Sequence, residues 1–227
     1  MSAPTVAPTV AFDVFGTLAD PASYALGLRP HTSEPEVIAA SWRRYQLEIS
    51  WLLTAAGRKL DWSTVTAQAL DMALAATHVQ LGEQQRAAAL ERVAVPELFE
   101  GVPEVLDELV GRGVRMAVFS NGDVGGLDRI LAEHGIADRF EEVVGCSEVG
   151  AFKPAPETYR HLAARLEAPL EGIWLVSANP FDCAGAALVG MRVAQLASPA
   201  SPKYPFAPEP ELVLDGLAQL PEALPWE

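Results

Sequence analysis

Asp13 stands at the end of an apolar run, Val10-Ala11-Phe12, and Gly16 and Thr17 follow within four residues. A carboxylate in that position can act as a nucleophile, and a glycine beside it lets the chain turn sharply and a ligand approach the backbone. Taken alone, the pattern is equally that of an aspartate capping a turn. Three later loops add to it. They carry Ser120 and Asn121 before Gly122, Lys153 before Pro154, and Ser177, Asn179 and Asp182. Each has an ordinary reading: a Ser-Asn-Gly turn, a solvated loop lysine, an acidic residue favoured by the dipole in a helix's first turn. Their shared place after apolar segments is what chance explains poorly. Together they would supply a carboxylate nucleophile, a lysine, hydroxyl and amide donors, and a second carboxylate.

These residues meet only if the elements between them line up their ends. The run before Asp13 is too short for a helix and reads as a buried strand. Residues 36–56 carry Ile38, Trp42, Tyr45, Ile49, Leu52 and Leu53 at close to helical spacing, and Gly57 ends that helix. Asp61 or Ser63 caps the next helix, through Val65, Leu70 and Leu74, and a third covers 83–94. Nothing from 19 to 96 reads as a strand, so this block is expected to be a helical cap domain inserted after the first strand. The expected core is 1–18 with 97–227. There, helices at 103–112, 127–134, 156–166 and 181–189 alternate with strands at 114–119, 142–145, 173–176 and 192–196. That alternation predicts an α/β fold with a doubly wound parallel sheet. Residues 1–8 are expected to fray, and the proline-rich stretch 198–210 to form a surface loop.

The 227 residues are half hydrophobic, enough for a sizeable core, and carry a formal net charge of −14. That charge argues against nucleic acid and anionic membrane as partners. An anionic substrate would need a local basic site against the overall field. The first nine residues lack the basic and apolar regions of a signal peptide, and no apolar run approaches membrane-spanning length. Cys146 and Cys183 make neither a disulfide framework nor a metal-ligand set, so a reducing cytoplasm is the expected location.

In order, Asp-x-x-Gly-Thr-Leu from Asp13, Ser120-Asn121-Gly122, Lys153-Pro154 and an Asp-bearing fourth loop resemble the haloacid dehalogenase superfamily, whose fold is a Rossmann-like core with an inserted cap. Most of that superfamily are phosphatases, with an acid two residues after the nucleophile and an acidic metal ligand in the fourth loop. Here those positions hold Phe15 and Ser177-Ala178, which can neither protonate a leaving alcohol nor complete a Mg²⁺ site. A halide leaving group needs neither. Trp42-Arg43-Arg44-Tyr45-Gln46-Leu47-Glu48-Ile49-Ser50-Trp51-Leu52 is similar to a cap segment of the L-2-haloacid dehalogenases, and Ser177, Asn179, Phe181, Asp182 and Tyr159 also match them.

This resemblance implies a metal-independent hydrolase of short 2-haloacids, without cofactor. Asp13 would form an ester with C2, held by Thr17. Arg43 would accept the halide together with Asn121 and Phe181, with Phe15 also at the pocket. Ser120 would bind the substrate carboxylate. Lys153 would keep Asp13 ionised and neutralise the oxyanion. Asp182, with Ser177 and Asn179, would orient Lys153 and the hydrolytic water, with Tyr159 behind. Phe15 and Arg44 stand where relatives often carry tyrosine and glutamine, Arg44 adding a cation near the mouth. Trp62 falls near a pocket aromatic, where its bulk would favour haloacetates. Relatives of this kind are commonly homodimers. A strained-ring 2-carboxylate hydrolase, a Mg²⁺-dependent phosphatase and an idle binding module remain the alternatives at this stage.

Overall fold

A computed structural model describes residues 8–196 and 204–225. The chain begins with strand β1 (Thr9–Phe12) and enters four helices: α1 (Ser23–Leu26), α2 (Pro35–Ala55), α3 (Trp62–Ala76) and α4 (Glu83–Ala94). It then alternates α5 (Val102–Gly111), β2 (Arg115–Ser120), α6 (Val124–Glu133), β3 (Glu142–Gly145), α7 (Pro156–Arg165), β4 (Ile173–Ser177), α8 (Pro180–Leu188) and β5 (Arg192–Leu196). A short strand β6 (Leu212–Leu214) and a short helix α9 (Leu220–Ala223) close it.

The six strands form one sheet in the order β3-β2-β1-β4-β5-β6, with every pairing parallel. The alternation along each strand explains the two layers. Val10, Phe12, Met116, Val118, Trp174 and Val176 face one side, against Leu106 and Leu109 of α5 and Ile130 of α6. Ala11, Ala117, Phe119, Ile173 and Leu175 face the other, against Leu162 of α7 and Ala186 of α8. A period of two with both faces apolar is what a parallel sheet covered on both sides requires. The four helices between β1 and α5 build a separate apolar cluster around Trp42, Ile38, Leu70 and Tyr24.

β1 is central, and the sheet grows outward from it in both directions through β2 and β4. The carboxyl ends of β1, β2 and β4 therefore share one edge at the switch point, where ligands of such sheets bind. Gly16, at φ +90°, permits the turn that follows.

Some boundaries differ from the sequence reading. α6 starts at Val124, three residues before the expected 127, because Gly125 and Gly126 hide a helical turn from a propensity argument. α1 and β6 were not anticipated, since four- and three-residue elements carry no readable period. The expected fraying of residues 1–8 falls almost wholly outside the described residues, as does part of the 198–210 stretch. No described helix is long and apolar enough to cross a membrane.

Candidate active site

The backbone N–H of Asp13 donates to Val176 O at 3.0 Å, which extends the β1–β4 pairing by one residue and pins the nucleophile candidate to the sheet edge. The residue is only 5 % exposed, so its carboxylate must find donors within the protein. It finds them unequally. Oδ2 accepts from Asn179 Nδ2 at 2.6 Å, Thr17 Oγ1 at 3.2 Å and Ser177 Oγ at 3.3 Å. Oδ1 accepts only from Lys153 Nζ, at 3.3 Å. Both hydroxyls are themselves oriented. Thr17 Oγ1 accepts the N–H of Ala178 and Ser177 Oγ that of Asn179, so their protons point to Asp13.

Lys153 is buried and uses all three of its ammonium protons, on Asp13 Oδ1, Phe119 O at 2.7 Å and Asp182 Oδ2 at 2.8 Å. Burial works to strip its proton, but Asp13 and Asp182 outweigh burial and raise its pKa above the ordinary lysine value. Asp182 is wholly buried, and burial pushes its pKa up against the pull of Lys153. Its two oxygens accept from Lys153 and, at 2.8 Å, from the Tyr159 hydroxyl, a donor set that suits the carboxylate. Burial, reinforced by Asp182, raises Tyr159 well above the usual phenol value, so it remains a donor.

Thus Asp13, Thr17, Lys153, Ser177, Asn179, Asp182 and Tyr159 form one hydrogen-bonded cluster. Asn121 joins it, its Oδ1 accepting the Lys153 backbone N–H at 2.8 Å and leaving its NH₂ free to donate. Ser120 is buried on the same loop, and its Oγ accepts the N–H of Gly122. One expected role is corrected. Ser177 and Asn179 bond Asp13 rather than Lys153, because β4 lies beside β1 with Val176 opposite Phe12. Lys153 reaches in from the β2 side, against Phe119.

The other candidates lie outside this hydrogen-bonded cluster. Arg43 is half-buried on α2 and donates to Gln46 Oε1 at 2.7 Å. Arg44 does not add a free cation, being exposed and paired with Glu48 one helical turn on. Phe181 meets Trp51 edge-on at 5.5 Å between ring centres, and these two line a cavity of about 820 Å³ with Phe152 and Arg160. Phe15 gives its carbonyl to Asn179 Nδ2 and lines a second cavity, about 410 Å³, with Trp62, Thr66 and Leu127. Asp13 lines neither cavity; they flank its cluster on two sides.

Three contacts escaped the sequence reading. Trp51 Nε1 donates to Lys153 O at 3.2 Å, tying α2 to the lysine loop. Asp123, on the loop after β2, accepts the N–H groups of Trp62 and Ser63 at 3.3 and 3.4 Å. It thereby caps α3, whose own preceding residue Asp61 makes no side-chain cap. Gln46, Tyr24 and Thr66 form a buried polar group around Arg43. Of these only Gln46 left a signal, as a polar residue on a helix face otherwise apolar.

The cluster does not suit Mg²⁺. The Lys153 ammonium bridges the two carboxylates, and residue 178 is alanine. Among the described residues no three His, Cys, Asp or Glu side chains are placed to hold a metal. Burial pushes the Cys146 thiol up to about 12, so it offers no thiolate.

A family model of haloacid dehalogenase-like hydrolases matches residues 7–190. The chain is 29% identical over 216 residues to (S)-2-haloacid dehalogenase 2 of Pseudomonas sp. strain CBS-3, covering 95% of this chain and 94% of the relative. It is 32% identical over 189 residues to the (S)-2-haloacid dehalogenase of Xanthobacter autotrophicus, covering 83% and 74%. The solved structure of L-2-haloacid dehalogenase from Xanthobacter autotrophicus with chloropropionic acid covalently bound superimposes with a TM-score of 0.87 at 27% identity, covering 96% of this chain and 98% of that one. A match of this length, laid over a parallel sheet whose central strand ends in Asp13, means that the chain belongs to the haloacid dehalogenase-like hydrolases.

Proposed function

We propose that this protein hydrolyses the carbon–halogen bond of short 2-haloacids, releasing halide and a 2-hydroxy acid. The observation that carries the mechanism is the unequal solvation of the Asp13 carboxylate. Oδ2 holds three donors and Oδ1 one. An oxygen whose lone pairs are occupied is a poor nucleophile, so Oδ1 attacks C2, opposite the halogen, and inverts that carbon. The carbon–halogen bonding pair leaves with the halide. Oδ2 is then the carbonyl oxygen of an aspartyl ester. Water attacks the Asp13 carbonyl carbon, and the negative charge that develops on Oδ2 meets Thr17, Ser177 and Asn179 already in place. Donors aimed beforehand at developing charge are the strongest form of such catalysis. The Cγ–Oδ1 bond then breaks with its pair on Oδ1, which leaves in the product and takes up the proton that Asp182 received from the water, while the water oxygen stays in the Asp13 carboxylate.

Lys153 pairs with the Asp13 carboxylate before attack. Asp182, held beside it by Lys153 and Tyr159, is the carboxylate that takes the proton of the attacking water, a task suited to a pKa raised by burial. Arg43, the free NH₂ of Asn121 and the edge of Phe181 receive the halide. Ser120 binds the substrate carboxylate, and Phe15 and Trp62 close the apolar side. Residues 19–96 act as the cap domain over a core of 1–18 and 97–227. No cofactor takes part in these steps.

We further infer a cytoplasmic homodimer. The free buried thiols of Cys146 and Cys183 suit a reducing compartment. Exposed Val37, Leu52 and Met72 supply apolar surface for a second copy.

The test is a single turnover of L-2-chloropropionate in ¹⁸O-labelled water with EDTA present. Chloride release and an unlabelled 2-hydroxypropionate of inverted configuration are expected, because the new oxygen comes from Asp13. Labelled product in the first turnover would replace the ester by direct attack of water. Absence of chloride would remove the dehalogenase reading.

A further inference from the structure

Gln46 is 0 % exposed in the middle of α2, and each of its polar atoms is engaged. Oε1 accepts from the Tyr24 hydroxyl at 2.9 Å and from Arg43 Nη1 at 2.7 Å. Nε2 donates to Thr66 Oγ1 at 2.7 Å, and that hydroxyl donates onward to Trp62 O at 2.8 Å. The amide can sit only this way round, since the reverse would turn its NH₂ towards two other donors. Tyr24 stays a donor, because burial raises its phenol more than Arg43 lowers it. Helices α1, α2 and α3 thus converge on one buried amide. Apolar side chains of similar volume could fill the same space without the need to satisfy three polar contacts.

The group that benefits is Arg43. The chain carries 30 acidic residues against 16 basic ones. Within the helical block Arg29, Arg44, Arg86 and Arg92 each face a carboxylate at 2.6–3.4 Å. Arg43 does not. Its hydrogen-bond partner is a neutral amide, and among the described residues it forms no ion pair. A carboxylate partner would cancel most of the guanidinium charge in a half-buried setting, where the local dielectric is low. An amide oxygen fixes the same N–H by its dipole and leaves the charge whole.

We propose that Gln46 is a positioning residue that holds Arg43 in place without neutralising it, so that the full cationic charge is available to an anion leaving the substrate. This rests on the dehalogenase reading for its consequence in turnover, but not for its effect on anion binding. The titratable groups facing Gln46 are Tyr24 from α1 and Arg43 from its own helix; from α3 it meets the hydroxyl of Thr66.

Gln46→Glu tests it, because the new side chain keeps the shape and the acceptor for Arg43 while adding a charge; its second oxygen replaces the donor to Thr66, whose hydroxyl can turn to donate to it. At pH 8, kcat for L-2-chloropropionate should fall about 100-fold, the scale of losing one aimed charge-stabilising group. Bromide, used as the probe of the free enzyme through quenching of tryptophan fluorescence, should bind correspondingly more weakly. Both deficits should shrink as the pH is lowered, since protonation of the introduced carboxylate restores a neutral partner. The melting temperature should hold or rise, through the new ion pair with Arg43. A purely structural role for Gln46 would show no such pH dependence. Gln46→Met keeps the volume without the acceptor and should lose turnover and bromide affinity equally at every pH, which settles positioning if Gln46→Glu does not fold.

Parent-like kcat and bromide affinity in either folded variant overturn the proposal while leaving the dehalogenase reading intact. A parent that binds bromide but releases no chloride, with bromide binding lost in Gln46→Glu, keeps the proposal and removes that reading. A parent that does neither overturns both.

Discussion

The two sides of the site hold their charges by opposite means. At the sheet edge, Asp13 and Asp182 flank Lys153, and each charge is fixed by its opposite at 3.3 and 2.8 Å. In the helical block, Arg43 is held by the amide of Gln46, itself braced by Tyr24 and Thr66. The difference follows from what each charge must do. Asp13 and Lys153 carry charge before the reaction starts and are buried, so they must be compensated in the resting protein. In the proposed reaction, Arg43 would serve an anion that exists only once the bond breaks. Compensating it beforehand would remove the attraction it has to supply.

The largest expected effect comes from breaking the paired side. Lys153→Met leaves two buried carboxylates facing one another without a cation, and such losses cost about 3–5 kcal/mol. Thermal unfolding should show a drop of many degrees, together with no measurable halide release. An intact melting temperature would mean that the sheet-edge charges are not balanced as the geometry indicates.

A smaller effect is expected where the two sides join. Asp123 belongs to the sheet-edge loop yet caps α3, and Asp123→Ala removes that cap at a cost of about 1 kcal/mol. The variant should bind substrate more weakly, with KM rising more than kcat falls, because α3 is held less firmly against the loop after β2. Unchanged kinetics would show that the hydrogen bonds of Trp51 and Thr54 to the lysine loop, with the packing, suffice to join the two sides.

The smallest effect separates charge from hydrogen bonding within the paired side. Tyr159→Phe removes one donor from Asp182 and should cost about 1 kcal/mol at neutral pH. Burial makes the phenol ionise at a higher pH in the folded protein than in the unfolded chain. Its contribution is therefore complete below about pH 10 and is lost as the pH rises further. Melting curves of the parent should fall more steeply than those of Tyr159→Phe in that range.

The fold was readable because a parallel sheet covered on both faces needs long apolar strands and regular helices between them. Those periods are visible at 114–119, 173–176 and 156–166. Where elements are short, as in β6, or contain paired glycines, as in α6, local pattern carries too little signal. At the site, the residues of the strand-end loops were legible as a set, since their types and order carry the chemistry. Their pairing was not. Ser177 and Asn179 are expected from sequence to orient Lys153 and the hydrolytic water, and only the β1–β4 register shows their bonds to Asp13 in place of Lys153. Asp123 gave no cue at all, because capping a helix about 60 residues away leaves no mark at its own position.

Sequence alone determined which groups this protein has for its chemistry: a carboxylate after the first strand, a lysine, a second carboxylate, arginines in the helical block and no acid at position 15 or 178. Tertiary structure decided how the donors divide between the two oxygens of Asp13 and that Arg43 is held by an amide rather than a carboxylate. Both depend on distances of a few tenths of an ångström between residues up to 166 positions apart. Hydrogen bonding falls off over that range, whereas residue type and order are unaffected by it.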